Sequence, residues 1–312
     1  MQPMRKARAL KPGDAVGLTA PSGAVRDVGG VERAIEAVEA LGFRAIADGS
    51  CFRRYGYLSG TDEERAAGVN RMFRDDRVDA VFCLRGGYGA TRMLDRVDFD
   101  LIRQNPKPFL GYSDVTALHA AINGLSGLIT LHGPMPATDF PGLEGFSRKS
   151  LERMLFDPAP LGEVGNPDGM PLSRLVPGKC EGRLAGGNLS LVAQLIGTPW
   201  QIDARGKILL LEDVGEYTYR LDGMLTQLRH AGLFRDCAGV VLGGFTDCRD
   251  EYEGFGATVE ALVRDIVAPA GKPVLAGFSI GHVDKKITVP LGAMCALDAD
   301  ELRLTILEGA LH

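Results

Sequence analysis

The stretches VDAVFCLRGGYG (78–89) and KPFLGYSDVTALHAAI (107–122) decide the fold class of this 312-residue chain. Each begins with a short apolar run, which is typical of a buried strand. Glycines follow the first run, and a helical pattern follows the second. The same alternation begins at AVGLTA (15–20). The sequence therefore predicts an α/β protein with a mainly parallel sheet and helices on both faces.

The ends of two predicted strands carry the residues with the clearest chemical potential. RGGYG (85–89) and SDVT (113–116) both come directly after an apolar run. Because open parallel sheets bind ligands at the carboxyl ends of their strands, we expect a site at this edge of the sheet.

Composition and spacing divide the chain into two domains. Proline and glycine are dense from about 135 to 180, and a strand-like run follows at KILLLE (207–212). The runs KKITVPLGAMCALD (285–298) and LRLTIL (302–307) alternate and predict an antiparallel pair of strands. We predict an N-terminal domain over 1–145, a linker over 146–179 and a C-terminal α/β domain over 180–312.

Charge and composition exclude several classes of protein. The chain has 35 Lys and Arg against 40 Asp and Glu, so it lacks the basic character of a nucleic-acid-binding protein. It contains no apolar run of about 18 residues, so we predict no membrane-spanning helix. The N-terminal stretch MQPMRKARALKPGDAVG lacks the apolar core of a secretory signal. Six cysteines without a CxxC pair favour a reducing cytoplasm and no metal site.

A nucleotide cofactor is poorly supported by the glycine pattern. Gly87 and Gly89 are followed by Arg92, where a dinucleotide fingerprint requires a third glycine, and no GxxxxGK[ST] motif occurs. We therefore expect no cofactor. RGGYG is then either a tight turn or a loop whose backbone approaches a ligand closely.

Three residues at predicted strand ends have side chains suited to nucleophilic catalysis. Ser113 ends an apolar run and begins a helix, as in a nucleophile elbow, although GYSDV lacks the second glycine of GxSxG. Glu212 follows three leucines, and His282 ends the run VLAGFSIGH (274–282). A serine, a carboxylate and a histidine at strand ends predict a catalytic triad.

Each of these residues also has an alternative interpretation. Ser113 could serve only as a helix N-cap. Glu212 could be an ordinary loop carboxylate, with Asp213 and Glu216 as neighbouring candidates for its role. His132, which follows another apolar run, is an alternative catalytic base.

Taken together, these motifs resemble the LD-carboxypeptidases, a family of serine peptidases that includes the microcin C self-immunity peptidases. The resemblance covers nearly the whole chain. It rests on TAPSG (19–23), LRGGYGATRML (84–94), FLGYSDVTALH (109–119), LHGPM (131–135), GRLAGGNLSLVAQLIGTPW (182–200), LLLEDVGEYTYRLDGMLTQLR (209–229) and GFSIGH (277–282).

The resemblance implies a fold, a site and a reaction. The N-terminal domain is expected to be flavodoxin-like, of the class I glutamine-amidotransferase type, and the C-terminal domain a smaller α/β domain of swivelling type. The family's triad falls on Ser113, Glu212 and His282, and its oxyanion-hole amides fall on Gly87 and Asp114. The implied reaction removes the terminal D-alanine of murein tetrapeptide during cytoplasmic peptidoglycan recycling. The implied enzyme is a homodimer that needs no metal.

Three points stay open beside this interpretation. Either Arg85 or the helix start at Ser113 is expected to bind the terminal carboxylate of the substrate. Microcin-type relatives instead cut an acyl-sulfamoyl or peptidyl adenylate with an inserted aromatic loop. The region between the domains holds Phe140, Phe146 and Phe156 but no Trp, which favours the carboxypeptidase. A catalytically silent muropeptide-binding protein is the remaining possibility.

Overall fold

A computed structural model of the chain describes residues 4–27, 29–250 and 257–312. The chain forms two compact units. The first unit comprises Met1–Ala159, Thr288–Gly292 and Gly309–His312, and the second comprises Pro160–Ile287 and Ala293–Glu308.

Strands and helices alternate through both units. The strands are β1 (Ala15–Thr19), β2 (Arg44–Ala47), β3 (Ala80–Cys83), β4 (Phe109–Gly111), β5 (Thr130–His132), β6 (Gly162–Glu163), β7 (Ser173–Val176), β8 (Lys179–Asn188), β9 (Ile208–Val214), β10 (Gly239–Thr246), β11 (Val274–Ala276), β12 (Val289–Leu291), β13 (Met294–Asp298) and β14 (Arg303–Ile306). The α-helices are α1 (Gly29–Glu39), α2 (Asp62–Arg74), α3 (Phe99–Gln104), α4 (Thr116–Ala121), α5 (Gly145–Phe156), α6 (Leu189–Gln194), α7 (Thr218–His230), α8 (Leu233–Asp236) and α9 (Val259–Leu262).

The first unit contains a six-stranded sheet in the order β12-β5-β4-β3-β1-β2. β1 to β5 pair in parallel, and β12 adds to β5 in the antiparallel direction. The parallel order 2-1-3-4-5 is that of flavodoxin-like folds, in which the strand order reverses between β1 and β3. This confirms the predicted α/β fold and its flavodoxin-like first part.

The second unit contains an eight-stranded sheet in the order β6-β14-β13-β8-β9-β10-β11-β7. Its four central strands, β8 to β11, pair in parallel, and antiparallel strands extend it on both sides. The antiparallel pair predicted at the end of the chain is confirmed as β13 and β14. The carboxyl ends of β8 and β9 bring Asn188 beside Glu212.

Helix α2 shows why the local sequence forms the elements of the first unit. Thr61 accepts a hydrogen bond from the Glu64 amide, and the Glu64 side chain accepts one from the Thr61 amide. This reciprocal capping satisfies two backbone donors that have no partner within the helix. The helix therefore begins at Asp62, directly after its Thr61 cap.

The compact units begin and end at other residues than the domains predicted from sequence. The predicted linker, 146–179, contains most of helix α5, which lies in the first unit, and strand β7, which pairs with β11 in the second. The run 285–298 is divided as well, because β12 pairs with β5 whereas β13 pairs with β8. Gly292, with a φ of +97°, lies between these two strands. A short strand at the edge of a sheet forms because a partner strand lies beside it, and the sequence does not reveal which strand that partner is.

The described residues contain no membrane-spanning helix, no metal-binding cluster and no disulfide. Within 4–27, 29–250 and 257–312, no helix is both long and apolar enough to cross a bilayer. The same ranges contain no group of three or more His, Cys, Asp or Glu side chains arranged to hold a metal ion. All six cysteines are free thiols.

The β8–β9 pairing generates a stability prediction. Gly186 in β8 has a φ of +123°, and a Cβ atom there would lie 2.0 Å from the Leu210 carbonyl oxygen in β9. Because that oxygen belongs to the backbone of a central strand, Gly186→Ala should lower the free energy of unfolding by roughly 2 kcal/mol or more. Urea unfolding followed by circular dichroism measures the change.

Gly223→Ala is the matched control. Gly223 lies on the exposed face of α7, where an added Cβ meets no atom within 4 Å. This substitution should raise stability by about 0.5–1 kcal/mol, because alanine loses less backbone entropy in a helix. Equal effects of the two substitutions would contradict the assignment of close packing to Gly186.

Candidate active site

Ser113 occupies a strained turn at the carboxyl end of β4. Its φ is +63°, which places it in the left-handed region that residues other than glycine rarely adopt. A helix N-cap normally has extended backbone, so the conformation of Ser113 differs from that of an ordinary cap. A short 3₁₀ turn over Ser113–Val115 leads directly into α4. This strand–turn–helix geometry is that of a nucleophile elbow.

Two glycines make room for the turn. A Cβ at Gly111 would lie 2.8 Å from a Val115 methyl group, and a Cβ at Gly86 would lie 2.8 Å from Cβ and 2.9 Å from Oγ of Ser113. Only a residue without a side chain fits at either place without displacing its neighbours. The RGGYG loop therefore contacts Ser113 through the backbone of Gly86.

The residue after the serine attaches its turn to the RGGYG loop. The Asp114 carboxylate is buried and accepts a hydrogen bond of 2.8 Å from the Ala90 amide. Burial raises the pKa of this carboxyl above its usual value, although the Ala90 bond and the charge of Arg65 oppose the shift. Gly87, the other residue expected to supply an oxyanion-hole amide, lies in the same loop with a φ of +120°.

Arg65 on α2 is a positioning residue that the sequence analysis missed. Its side chain is fully buried, and its Nη1 donates to the Pro21 carbonyl and, at 2.9 Å, to the Gly89 carbonyl. Its Nη2 donates to Asp62. Arg65 thereby joins the loop after β1 to the loop after β3, beneath the point where the strand order reverses. The helical pattern of α2 shows an arginine but gives no sign that it points inward.

A cleft of about 300 Å³ opens above these loops and lies wholly in the first unit. We call it the arginine cleft, because its charged and aromatic lining residues are Arg26, Arg54, Arg85, Tyr57 and Tyr88. Gly87 also lines it, so the cleft adjoins the loop that contacts Ser113. Ligands of doubly wound sheets bind at this position.

Arg85 is fixed in the wall of the cleft by the backbone. Its Nε donates to the Gly86 carbonyl at 3.2 Å and its Nη1 to the Ala24 carbonyl at 3.1 Å. Burial lowers the pKa of Arg85, and the positive charge of Arg26 lowers it further. The site thus holds a half-buried cation whose charge a bound anion would stabilise.

The second unit brings Glu212 and His282 together. Glu212 Oε2 lies 2.8 Å from Nδ1 of His282 and also accepts a hydrogen bond of 3.2 Å from the His282 amide. The carboxylate is fully buried, whereas the imidazole is 18% exposed. A buried carboxylate on Nδ1 fixes the tautomer of the ring and leaves Nε2 as the reactive nitrogen.

The loop after β11 is shaped to present His282 to this carboxylate. Gly281 has a φ of +94°, and a Cβ there would lie 2.2 Å from Glu212 Oε2. Gly244 in β10 donates its amide to the Ile280 carbonyl at 2.9 Å, and Thr246 donates its hydroxyl to the His282 carbonyl. The loop is therefore held by β10 on one side and by Glu212 on the other.

The neighbouring acids have other partners. Asp213 accepts hydrogen bonds from the Asn188 side chain and from the amide and hydroxyl of Ser190. Glu216 forms an ion pair of 2.5 Å with Arg220. Among the three candidate acids, Glu212 is the one in contact with His282.

His132, the alternative base, lies at the end of β5 in the first unit. It is buried, and its ring packs edge-on against Tyr112 and beside His119. His119 in turn bonds the Gly111 carbonyl at 2.8 Å, and burial lowers its pKa to about 4. These histidines pack in the core beneath the Ser113 turn.

Backbone strain at Ser113 generates a prediction that is independent of catalysis. Ser113→Ala and Ser113→Gly both remove the hydroxyl, but only glycine relieves a φ of +63°. We expect the glycine variant to be more stable than the alanine variant by about 1 kcal/mol, measured by urea unfolding. If the alanine variant is the more stable of the two, the turn is not strained.

Comparisons with known proteins give matches in both halves of the chain. Residues 16–133 match the LD-carboxypeptidase N-terminal domain, and residues 181–297 match the LD-carboxypeptidase C-terminal domain. A probable murein peptide carboxypeptidase of Bacillus subtilis is 41% identical over 98% of this chain and 97% of its own length. The murein tetrapeptide carboxypeptidase of Pseudomonas aeruginosa is 35% identical over 80% of this chain and 82% of its own.

A solved structure extends the similarity to the fold. The structure of MccF in complex with glutamyl sulfamoyl guanosine matches with a TM-score of 0.91 at 25% identity. The match covers 98% of this chain and 99% of that one. Both domain matches and these relatives lead to one conclusion: the chain belongs to the LD-carboxypeptidase family.

Proposed function

We propose that this protein is a serine carboxypeptidase that removes the terminal D-alanine of murein tetrapeptide by cutting an L,D-peptide bond. The observation that carries the proposal is the buried Glu212 carboxylate on Nδ1 of His282, in a chain whose first unit holds Ser113 in a strained elbow. The names of the two relatives, murein peptide and murein tetrapeptide carboxypeptidase, supply the substrate.

In the proposed reaction, Ser113 is the nucleophile and His282 the base. Ser113 Oγ attacks the scissile carbonyl carbon while Nε2 of His282 takes the hydroxyl proton. Glu212 keeps the imidazole in the required tautomer and stabilises its positive charge. The carbon–nitrogen bond then breaks, and the proton passes to the amine of D-alanine. Water cleaves the acyl-enzyme ester by the same steps in reverse, which restores the serine.

The tetrahedral intermediate requires hydrogen-bond donors for its oxyanion. We assign this role to the backbone N–H groups of Gly87 and Asp114. The close approach of Gly86 to Ser113, where an added Cβ would lie 2.9 Å from Ser113 Oγ, supports the assignment, because it brings the RGGYG backbone to the nucleophile. One such donor contributes about 3–4 kcal/mol to the stability of the transition state.

Other features of the enzyme belong to the same proposal. The six free cysteines favour a cytoplasmic location, which suits peptidoglycan recycling. The chemistry of the triad requires neither a metal nor a cofactor. We propose a homodimer, the commonest closed assembly.

A microcin-type immunity peptidase is the second candidate, and the similarity to MccF favours it. The phenylalanines after residue 135 offer it little support. Phe140 packs on Phe82 with ring centres 6.2 Å apart, and Phe156 stacks on Phe43 at 5.4 Å. These two rings are committed to contacts within the first unit, so they do not form an aromatic substrate loop.

Incubation of the purified protein with L-Ala-γ-D-Glu-meso-DAP-D-Ala tests the proposal. Mass spectrometry should show the loss of one D-alanine, and Ser113→Ala and His282→Gln should lower kcat by at least about a thousandfold because each removes a member of the triad. His132→Gln, which changes the alternative base, should keep most of the activity.

Three results would overturn this scheme. Near wild-type activity in Ser113→Ala would exclude the nucleophile. An intact tetrapeptide together with cleavage of an aminoacyl sulfamoyl nucleoside would favour the microcin-type candidate. Binding of the tetrapeptide without cleavage would favour a silent binding protein.

Arg85 is our candidate for the terminal carboxylate, in preference to the helix start at Ser113. Its half-buried guanidinium has no carboxylate partner among the described residues. Arg85→Ala should raise KM for the tetrapeptide about tenfold or more, because a charged hydrogen bond to substrate is lost. Steady-state kinetics measures this, and an unchanged kcat/KM would transfer the role to the helix start.

A further inference from the structure

The arginine cleft carries more positive charge than one carboxylate neutralises. Arg26, Arg54 and Arg85 form no ion pair within the described chain, and no described Asp or Glu lines the cleft. Several arginines of the same unit that lie outside the cleft are paired, for example Arg33 with Asp27, Arg53 with Glu64, and Arg92 with Asp62. Carboxylates therefore occur on the same unit beside arginines, but no described carboxylate lines the cleft.

Two of the three arginines of the cleft, Arg54 and Arg85, are held in position by backbone carbonyls and keep donors available. A guanidinium has five N–H donors. Arg54 donates from Nε to the Gly56 carbonyl at 3.2 Å, and Arg85 uses two of its nitrogens on backbone carbonyls. Backbone contacts of this kind fix the side chains before a ligand arrives, which lowers the entropy lost on binding.

Two tyrosines form an apolar wall beside this charge. The rings of Tyr57 and Tyr88 pack edge to face with their centres 5.6 Å apart. They remain 65% and 45% exposed, respectively, although large aromatic residues are usually covered. Exposed aromatic rings beside arginine are typical of surfaces that bind a partner. Here they suit the methylene groups of a side chain that ends in a charged group.

We propose that the arginine cleft binds two carboxylates of one peptide, the terminal carboxylate at Arg85 and a second carboxylate at Arg26 and Arg54. This inference rests on the proposed function and deepens it. A volume of about 300 Å³ is at the lower end for ligand pockets, so the cleft holds part of a peptide rather than a whole tetrapeptide. An ammonium group in place of the second carboxylate would meet like charge.

A murein tetrapeptide offers two sources for the second carboxylate. One is the free α-carboxylate of the γ-linked D-glutamate, and the other is the carboxylate at the distal centre of diaminopimelate. Four peptides distinguish them: the parent, the parent amidated at D-glutamate, the parent amidated at the distal centre, and the parent with lysine as third residue.

The experiment measures kcat and KM on these peptides for the full-length wild type, Arg26→Gln and Arg54→Gln. Each variant should raise KM for the parent peptide about tenfold while kcat stays within about twofold. For the peptide that lacks the recognised carboxylate, neither Arg26→Gln nor Arg54→Gln should raise KM further. That peptide therefore identifies the source of the second carboxylate. Arg53→Gln is the matched control, because Arg53 is adjacent in sequence, similarly exposed and paired with Glu64 outside the cleft.

Calorimetry of the same peptides with Ser113→Ala separates this inference from the proposed function. If no peptide is cleaved but Arg26→Gln weakens binding of the parent to Ser113→Ala about tenfold, the subsite stands and the proposed reaction fails. If the parent is cleaved and both variants leave KM unchanged, the reaction stands and the subsite is wrong. An equal loss of affinity for all four peptides in the arginine variants also overturns the subsite, because it shows a general effect of charge.

Discussion

The part of the site in the first unit depends on the hydrogen bonds and the ion pair of the fully buried Arg65 guanidinium. It bonds the carbonyls of Pro21 and Gly89, and Asp62 supplies its counter-charge. Partial burial raises the pKa of Asp62, but hydrogen bonds from Arg92 and Arg65 outweigh this and keep it below the usual value. Loss of one partner of such a buried pair typically costs about 3–5 kcal/mol. The two loops that frame the arginine cleft thus depend on one side chain beneath them.

Close approach of backbone explains why glycines are concentrated where the loops meet. Gly23 donates its amide to the Gly86 carbonyl at 3.2 Å, and Gly86 in turn contacts Ser113. In the second unit, Gly281 makes the same kind of room for Glu212. Motifs such as RGGYG and SIGH therefore have a physical meaning that needs no comparison with other proteins. Each marks a place where a Cβ atom would displace a functional side chain.

The sequence predicted the central strands and the strand-end position of the candidate residues, because apolar runs and turn signals are local. It could not predict that β12 leaves the second unit to pair with β5, since an alternating run gives no information about its partner. Similarly, β7 lies within a segment rich in proline and joins a sheet edge. The inward direction of Arg65 was hidden for the same reason, because a single helix pattern does not show which long polar side chain finds buried carbonyls.

The two units prepare their parts of the proposed chemistry in different ways. At Ser113, strain is stored in the backbone, and such strain persists only where the surrounding structure enforces it. At Glu212, the cost lies in burying a carboxylate whose Oε1 has no hydrogen-bond partner within the described residues. A positive charge on His282 would offset that cost, because the attraction between the two groups is strongest where water is excluded. In the proposed reaction the buried acid would therefore stabilise the imidazolium of His282, while the strained turn leaves Ser113 partly exposed for attack.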